Sequence, residues 1–187
     1  MNKQHLRTHY KSLRNELSQD DIETKSLEIA NQLLKLDIWN ASFYHVFLSI
    51  TEQKEVQTDY LLNILSGKDK HIIVSKSDFT TLQMTHYLLT DNTRIQKNKH
   101  NIPEPVDSIE IDVKKIEVVF VPLLAFDKKG HRVGYGKGFY DKFLYKCNPE
   151  TIKIGLSLFE AEEQIDDVFK SDIALDYCVT PNQIYRF

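Results

Sequence analysis

The chain has 187 residues, 41% of them hydrophobic and 11% aromatic, which suits one core and a single domain over residues 1–187 and excludes a disordered or fibrous chain. Its 24 lysines and arginines against 27 acids leave a formal charge of −3, which speaks against a general nucleic-acid-binding surface. The two cysteines lack a second thiol or a histidine at ligand spacing, which argues against zinc and a disulfide framework, and the polar first turns and absence of a long apolar run point to a cytoplasmic protein with no membrane segment.

Residues Asn2 to Leu17 are polar, contain no Gly or Pro, and predict a helix. Along it Lys3, Arg7, Lys11 and Arg14 fall within about 80° of arc. Such a basic stripe is by default a solvated amphipathic face, unless a second cationic cluster meets it around an anion. Ser18 ahead of Asp20 and Asp21 is a capping start, and Ile22, Leu27, Ile29, Ala30, Leu33 and Leu34 at helical spacing predict a second helix from Asp20 to Leu36.

The chemistry then turns β-branched and aromatic. Phe43 to Ile50, Ile72 to Val74 and Val118 to Val121 read as buried strands, with a helical segment from Asp59 to Leu65 between the first two. Met84 to Leu89 predicts a further strand, and the polar stretch Thr90 to Asn101 a loop. A helix from Tyr140, a strand from Thr151 to Leu156 and a last strand through Tyr177 to Val179 complete the pattern. Strand and helix in alternation give an α/β fold: a three-layer α/β/α arrangement around a mainly parallel open sheet.

Four of the six glycines lie between Gly130 and Gly138, in the segment Gly130-His131-Arg132-Val133-Gly134-Tyr135-Gly136-Lys137-Gly138-Phe139-Tyr140-Asp141. Gly134, Gly136 and Gly138 permit positive φ and let backbone N–H groups converge on an anion, while a helix starting just afterwards points its positive end at the same place. Arg132 and Lys137 add formal charge. Phosphate binding is the chemistry suggested, against the alternative of a flexible turn rich in glycine. The spacing is neither a Walker A motif nor a dinucleotide fingerprint. Asp141 at the loop-to-helix junction is a candidate Mg²⁺ ligand or simply a carboxylate satisfying helix N–H groups.

The run Val119-Phe120-Val121-Pro122, Ala125-Phe126-Asp127, Gly130, Arg132, Gly134-Tyr135-Gly136 and Gly138-Phe139-Tyr140-Asp141 resembles the signature of the 5-formyltetrahydrofolate cyclo-ligase family. The likeness extends to Lys3, Leu6 and Arg7, to Glu55-Val56-Gln57-Thr58, to Ile102-Pro103-Glu104-Pro105 and to Asp172-Ile173-Ala174-Leu175-Asp176. Val133, Lys137 and Phe139 depart from the commonest form of the pattern. The resemblance implies a Rossmann-like open sheet and a monomeric enzyme that uses ATP and Mg²⁺ to close 5-formyltetrahydrofolate to 5,10-methenyltetrahydrofolate, with release of ADP and phosphate.

By the same resemblance Lys3, Arg7, Arg132, Gly134, Tyr135, Gly136, Lys137, Gly138, Phe139 and Tyr140 are nucleotide contacts, with Lys137 and Arg132 the catalytic cations. Ile50, Glu55 and the segment Tyr135 to Phe139 are implied folate contacts. Asp141 and Asp172 are the implied metal carboxylates, Asp176 being the neighbour with which Asp172 is confused. Ignoring the family, Glu55 reads equally as an exposed acid ahead of a helix, Ile50 as a core residue and His131 as a solvated loop histidine. Two rival classes are a regulator that binds a phosphometabolite without catalysis and a nucleic-acid binder using the Lys3 to Arg14 stripe.

Overall fold

Five strands run parallel through the centre of the molecule, which the computed structural model describes over residues 1–187. They are β1 (Phe43–His45), β2 (His71–Asp78), β6 (Val118–Pro122), β9 (Ile152–Leu156) and β10 (Tyr177–Val179), and two antiparallel edge strands, β3 (Gln83–Leu89) and β11 (Ile184–Arg186), extend them. The sheet order is β11-β10-β9-β6-β1-β2-β3.

Successive side chains of a strand face opposite ways, so a run buried on both faces must be apolar throughout. In β6, Val118 and Phe120 join Ile29, Leu33, Leu61 and Leu65 in one core, while Val119 and Val121 join Phe143, Leu144 and Cys147 in another. The first core therefore belongs to α2 (Gln19–Leu33) and α3 (Asp59–Gly67), and the second to α4 (Phe139–Lys146). These are the three layers expected. The remaining helix, α1 (Lys3–Glu16), packs through Leu6 and Tyr10 beside the small hairpin of β7 (Ala125–Phe126) and β8 (Arg132–Val133).

Local signals account for several boundaries. Ser18 caps α2 in a reciprocal box with Asp21, and the predicted end at Leu36 is replaced by a tightened turn in which Lys35 and Leu36 donate to Gln32 and Leu33. The predicted strand to Ile50 stops as named strand at His45. Beyond the Val46 N–H, which still donates to the Ile73 carbonyl at 2.9 Å, Ser49 turns its hydroxyl to Val56 and the Glu55 carboxylate takes the Ile50 N–H, so the backbone bonds locally instead of along the sheet. The predicted loop Thr90 to Asn101 contains β4 (Arg94–Lys97), which pairs with β5 (Pro103–Val106) in a separate two-stranded flap. No helix is long and apolar enough to cross a membrane.

Candidate active site

From β1 the chain continues to β2 on one side, while β6 lies on the other, so the sheet switches direction between β1 and β6. Loops leaving the carboxyl ends of two such strands diverge and open a crevice. Here β1 leads through a 3-10 turn at Thr51–Gln53 to Glu55, and β6 leads through Leu123 and the β7–β8 hairpin to the glycine segment. The topology thus brings to one place two motifs some 80 residues apart in sequence.

Glu55 is 4% exposed, which excludes its reading as a solvated acid. Its Oε2 accepts the Ile50 N–H at 2.8 Å and its Oε1 accepts the Tyr135 hydroxyl at 2.7 Å. Burial raises the carboxyl above its ordinary value, against the opposing effect of those two donors and of the Arg14 charge. The Tyr135 hydroxyl is raised in turn by burial and by the facing Glu55 charge. Ile50, read from sequence as a core residue, is half-buried and contributes its backbone.

The glycine segment owes its path to two residues. Gly136 has φ +94°, and a Cβ there would stand 3.2 Å from the Arg7 guanidinium carbon. Arg7 Nε donates to the Gly134 carbonyl at 2.9 Å, so α1 grips the loop at the point where only glycine fits. Gly138, with φ +73°, is the N-cap of α4 and supplies no side-chain cap, which leaves the N–H groups of the first turn without a capping side chain. Of the three glycines read as permitting positive φ, Gly136 and Gly138 use it and Gly134 does not, while Gly130 also adopts it at +83°.

At the head of α4, Arg132 Nη2 donates to Asp141 Oδ1 at 2.6 Å, and Arg132 Nη1 donates to the Ile173 carbonyl. Asp141 Oδ1 also accepts the Ile173 N–H at 3.1 Å. One residue away, Asp172 Oδ2 pairs with the Lys3 ammonium and accepts the Phe169 N–H. Each carboxylate keeps its other oxygen out of any intrachain hydrogen bond. Asp176 instead pairs with Lys153 at 2.8 Å and ties β9 to β10, so Asp172 is the acid that faces the Arg132 cluster.

The basic stripe is not a solvated face. Lys3 and Arg14 are buried, Arg7 is half-buried, and only Lys11 stands out in solvent, with its ammonium over the Tyr135 ring. Lys137 is exposed and makes no hydrogen bond within the chain. Phe139 sets its edge against Phe79, which in turn lies on His100 of the β4–β5 connection. The Tyr140 ring lies near His45 and Phe143, and burial followed by the Glu55 charge raises its hydroxyl well above the ordinary range. His131 is no solvated loop histidine: its Nδ1 sits 3.0 Å from Asp127, whose buried carboxylate also accepts the N–H groups of Lys129, His131 and Ile165.

Arg14 is the site residue that sequence reasoning passed over. Its spacing from Lys3 and Arg7 puts it on their face of the helix, and that spacing is the signal that could have found it. It is 3% exposed and donates to the Tyr135 oxygen at 3.1 Å.

Known proteins resemble this chain over most of its length. A model of the 5-formyltetrahydrofolate cyclo-ligase family matches residues 1–181. A probable 5-formyltetrahydrofolate cyclo-ligase of Schizosaccharomyces pombe is 25% identical over 98% of this chain and 87% of its own. The 5-formyltetrahydrofolate cyclo-ligase of Mus musculus is 28% identical over 78% of this chain and 74% of its own. The solution structure of 5,10-methenyltetrahydrofolate synthetase from Aquifex aeolicus superposes with a TM-score of 0.84 at 25% identity, covering 100% of this chain and 93% of that one. A structure of the 5,10-methenyltetrahydrofolate synthetase from Mycoplasma pneumoniae gives 0.77 at 19% identity, covering 97% of this chain and 99% of that one, a likeness of fold. On the whole-chain family match, this protein is a ligase and belongs to the 5-formyltetrahydrofolate cyclo-ligase family.

Proposed function

We propose that the protein converts 5-formyltetrahydrofolate to 5,10-methenyltetrahydrofolate at the expense of ATP, with Mg²⁺, acting as a monomer in the cytoplasm. The observation that carries the reading is the 2.7 Å bond from Tyr135 to Glu55, which joins an anion cradle and a buried acid in one crevice. A phosphate-binding regulator needs only the first of these.

The formyl oxygen is a poor leaving group. In the proposed reaction it attacks the γ-phosphorus and the bond from that phosphorus to the ADP oxygen breaks. N10 then attacks the activated carbon, the carbon–oxygen bond breaks with loss of phosphate, and the N10 proton departs to solvent. Positioning and charge stabilisation are the protein's share of such phosphoryl transfer. The open N–H groups at the head of α4, with Lys3, Arg7 and Arg132, are suited to hold the polyphosphate, and exposed Lys137 is free to reach the oxygen in transfer. Glu55 is the acid assigned in this reading to orient the reduced pteridine, with the Ile50 N–H holding its Oε2.

Asp141 and Asp172 fit Mg²⁺ in that each has one uncommitted carboxylate oxygen beside the same arginine, and Mg²⁺ characteristically takes one or two carboxylates with phosphate oxygens and water. When bound there it would supply charge neutralisation across the phosphates. The test is the absorbance of methenyltetrahydrofolate when the protein meets 5-formyltetrahydrofolate with and without Mg-ATP. An ATP-dependent rise with matching ADP supports the reading, and no rise at high concentration of folded protein rejects it.

A further inference from the structure

Arg14 sits where three segments of the site meet. Its Nη1 donates to the Gln53 carbonyl at 3.3 Å and to the Tyr135 oxygen at 3.1 Å, and its Nη2 donates to the Leu123 carbonyl. Those partners come from the 3-10 turn after β1, the glycine segment and the end of β6. Arg14 has no carboxylate within ion-pair distance, and its Nε is buried without a partner. A guanidinium so placed does more than fill space, since a buried charge without a direct counter-ion is costly.

The direction of the chain of bonds follows from what each group can do. An arginine only donates, so the Tyr135 oxygen must accept from Arg14, and the single phenolic proton is then free to go to Glu55 Oε1. With the Ile50 N–H on Oε2 and the Tyr135 hydroxyl on Oε1, both Glu55 oxygens are held in one orientation.

We propose that Arg14 is a positioning residue for the folate side of the reaction, which through Tyr135 fixes the Glu55 carboxylate and ties the glycine loop to the folate-facing turn. The proposal rests on the cyclo-ligase reading. Arg14 touches neither substrate, since it is 3% exposed and three of its five N–H donors go to Tyr135 and two backbone carbonyls. Its effect falls on Glu55, which is faced by Arg14 from α1, by Tyr135 from the glycine loop and by Tyr140 from α4. The Arg14 charge favours the ionised acid against burial, so its loss leaves Glu55 protonated to higher pH.

The experiment is steady-state kinetics of Arg14→Met, Tyr135→Phe and the double variant with 5-formyltetrahydrofolate and Mg-ATP, each over a pH series. For Arg14→Met the KM for folate is expected to rise about 10- to 100-fold, in line with a lost charged hydrogen bond, while the KM for ATP moves less than about threefold. The acid limb of kcat/KM for folate is expected at higher pH, and the double variant is expected to be scarcely worse than either single one. Equal rises in both KM values, an unmoved acid limb, or fully multiplicative single effects would overturn the proposal. Should Arg14→Met not fold, Tyr135→Phe alone decides: it keeps the arginine and its carbonyl bonds, and an unchanged folate KM in that variant rejects the idea. No turnover by the wild-type protein sinks the cyclo-ligase reading and this proposal together, whereas wild-type turnover with substrate-independent defects sinks this proposal alone.

Discussion

Arg132 and Asp141 meet at 2.6 Å across the glycine loop, and both also hold the backbone of Ile173, one through its carbonyl and the other through its N–H. The pair therefore clamps the segment carrying Asp172 onto the head of α4. Arg132→Met leaves a part-buried carboxylate unpaired and an orphaned carbonyl, and is expected to cost about 2–4 kcal/mol of stability and at least about 100-fold in kcat. Asp141→Asn keeps an acceptor for Ile173 and is expected to fold, but to need roughly tenfold more Mg²⁺ for half-maximal rate. Urea denaturation and Mg²⁺ titration read the two effects. An unchanged Mg²⁺ requirement removes Asp141 from the metal.

Lys137 offers the opposite case, an exposed cation that supports nothing in the folded chain. Lys137→Ala is expected to leave the melting temperature within about 1 °C while lowering kcat on the order of 100-fold, as when one preorganised charge is taken from a transition state. A rate within threefold of wild type would clear Lys137 of a catalytic role.

The close approach of Arg7 to Gly136 makes the loop sensitive to a single methyl group. Gly136→Ala places a Cβ at φ +94° and 3.2 Å from the guanidinium, which is expected to cost about 1–2 kcal/mol and to raise the KM for ATP more than that for folate. Gly134→Ala meets open space at ordinary φ and serves as the control. Equal behaviour of the two variants would count against the grip of α1 on the loop.

Under the sheet, His45 Nε2, the Ser75 hydroxyl and His86 Nδ1 form a buried chain at 2.7 and 2.8 Å. Burial, assisted by the Lys146 charge, pushes His86 down to about 4, and burial with the neighbouring His86 lowers His45 as well. A folded value below the unfolded one means that the unfolded chain takes up protons first as pH falls. The stability so contributed is whole above about pH 6.5 and is lost as the pH drops toward 4, amounting to about 3 kcal/mol for His86. Urea denaturation between pH 7.5 and 4 is expected to show a shallower fall for His86→Gln than for wild type. Parallel curves would contradict this account.

The central strands and α2 were legible because burial on both faces and a capping serine leave local traces, as in Val118 to Val121 and Ser18 with Asp21. The glycine segment was legible for a similar reason: composition alone marks it. The flap was not, since all four residues of β4 are exposed and β5 carries Pro103 and Pro105, residues that ordinarily argue against a strand and are tolerated here in an isolated hairpin. Nor could the pattern show that Lys3, Arg14 and Glu55 are buried. Each is covered by a partner far along the chain, Asp172, Leu123 and Tyr135 respectively, and a helical stripe looks the same whether water or a distant carboxylate faces it.

The ion pair of Lys3 with Asp172 joins residues 169 apart in the chain. Contacts of such span carry a large loop-closure cost and form late. The sheet can gather around β6 while α1 is still undocked, so during refolding from urea the circular-dichroism signal of the sheet should return before catalytic competence. Activity in this protein would then time the last step of folding, the arrival of its first helix.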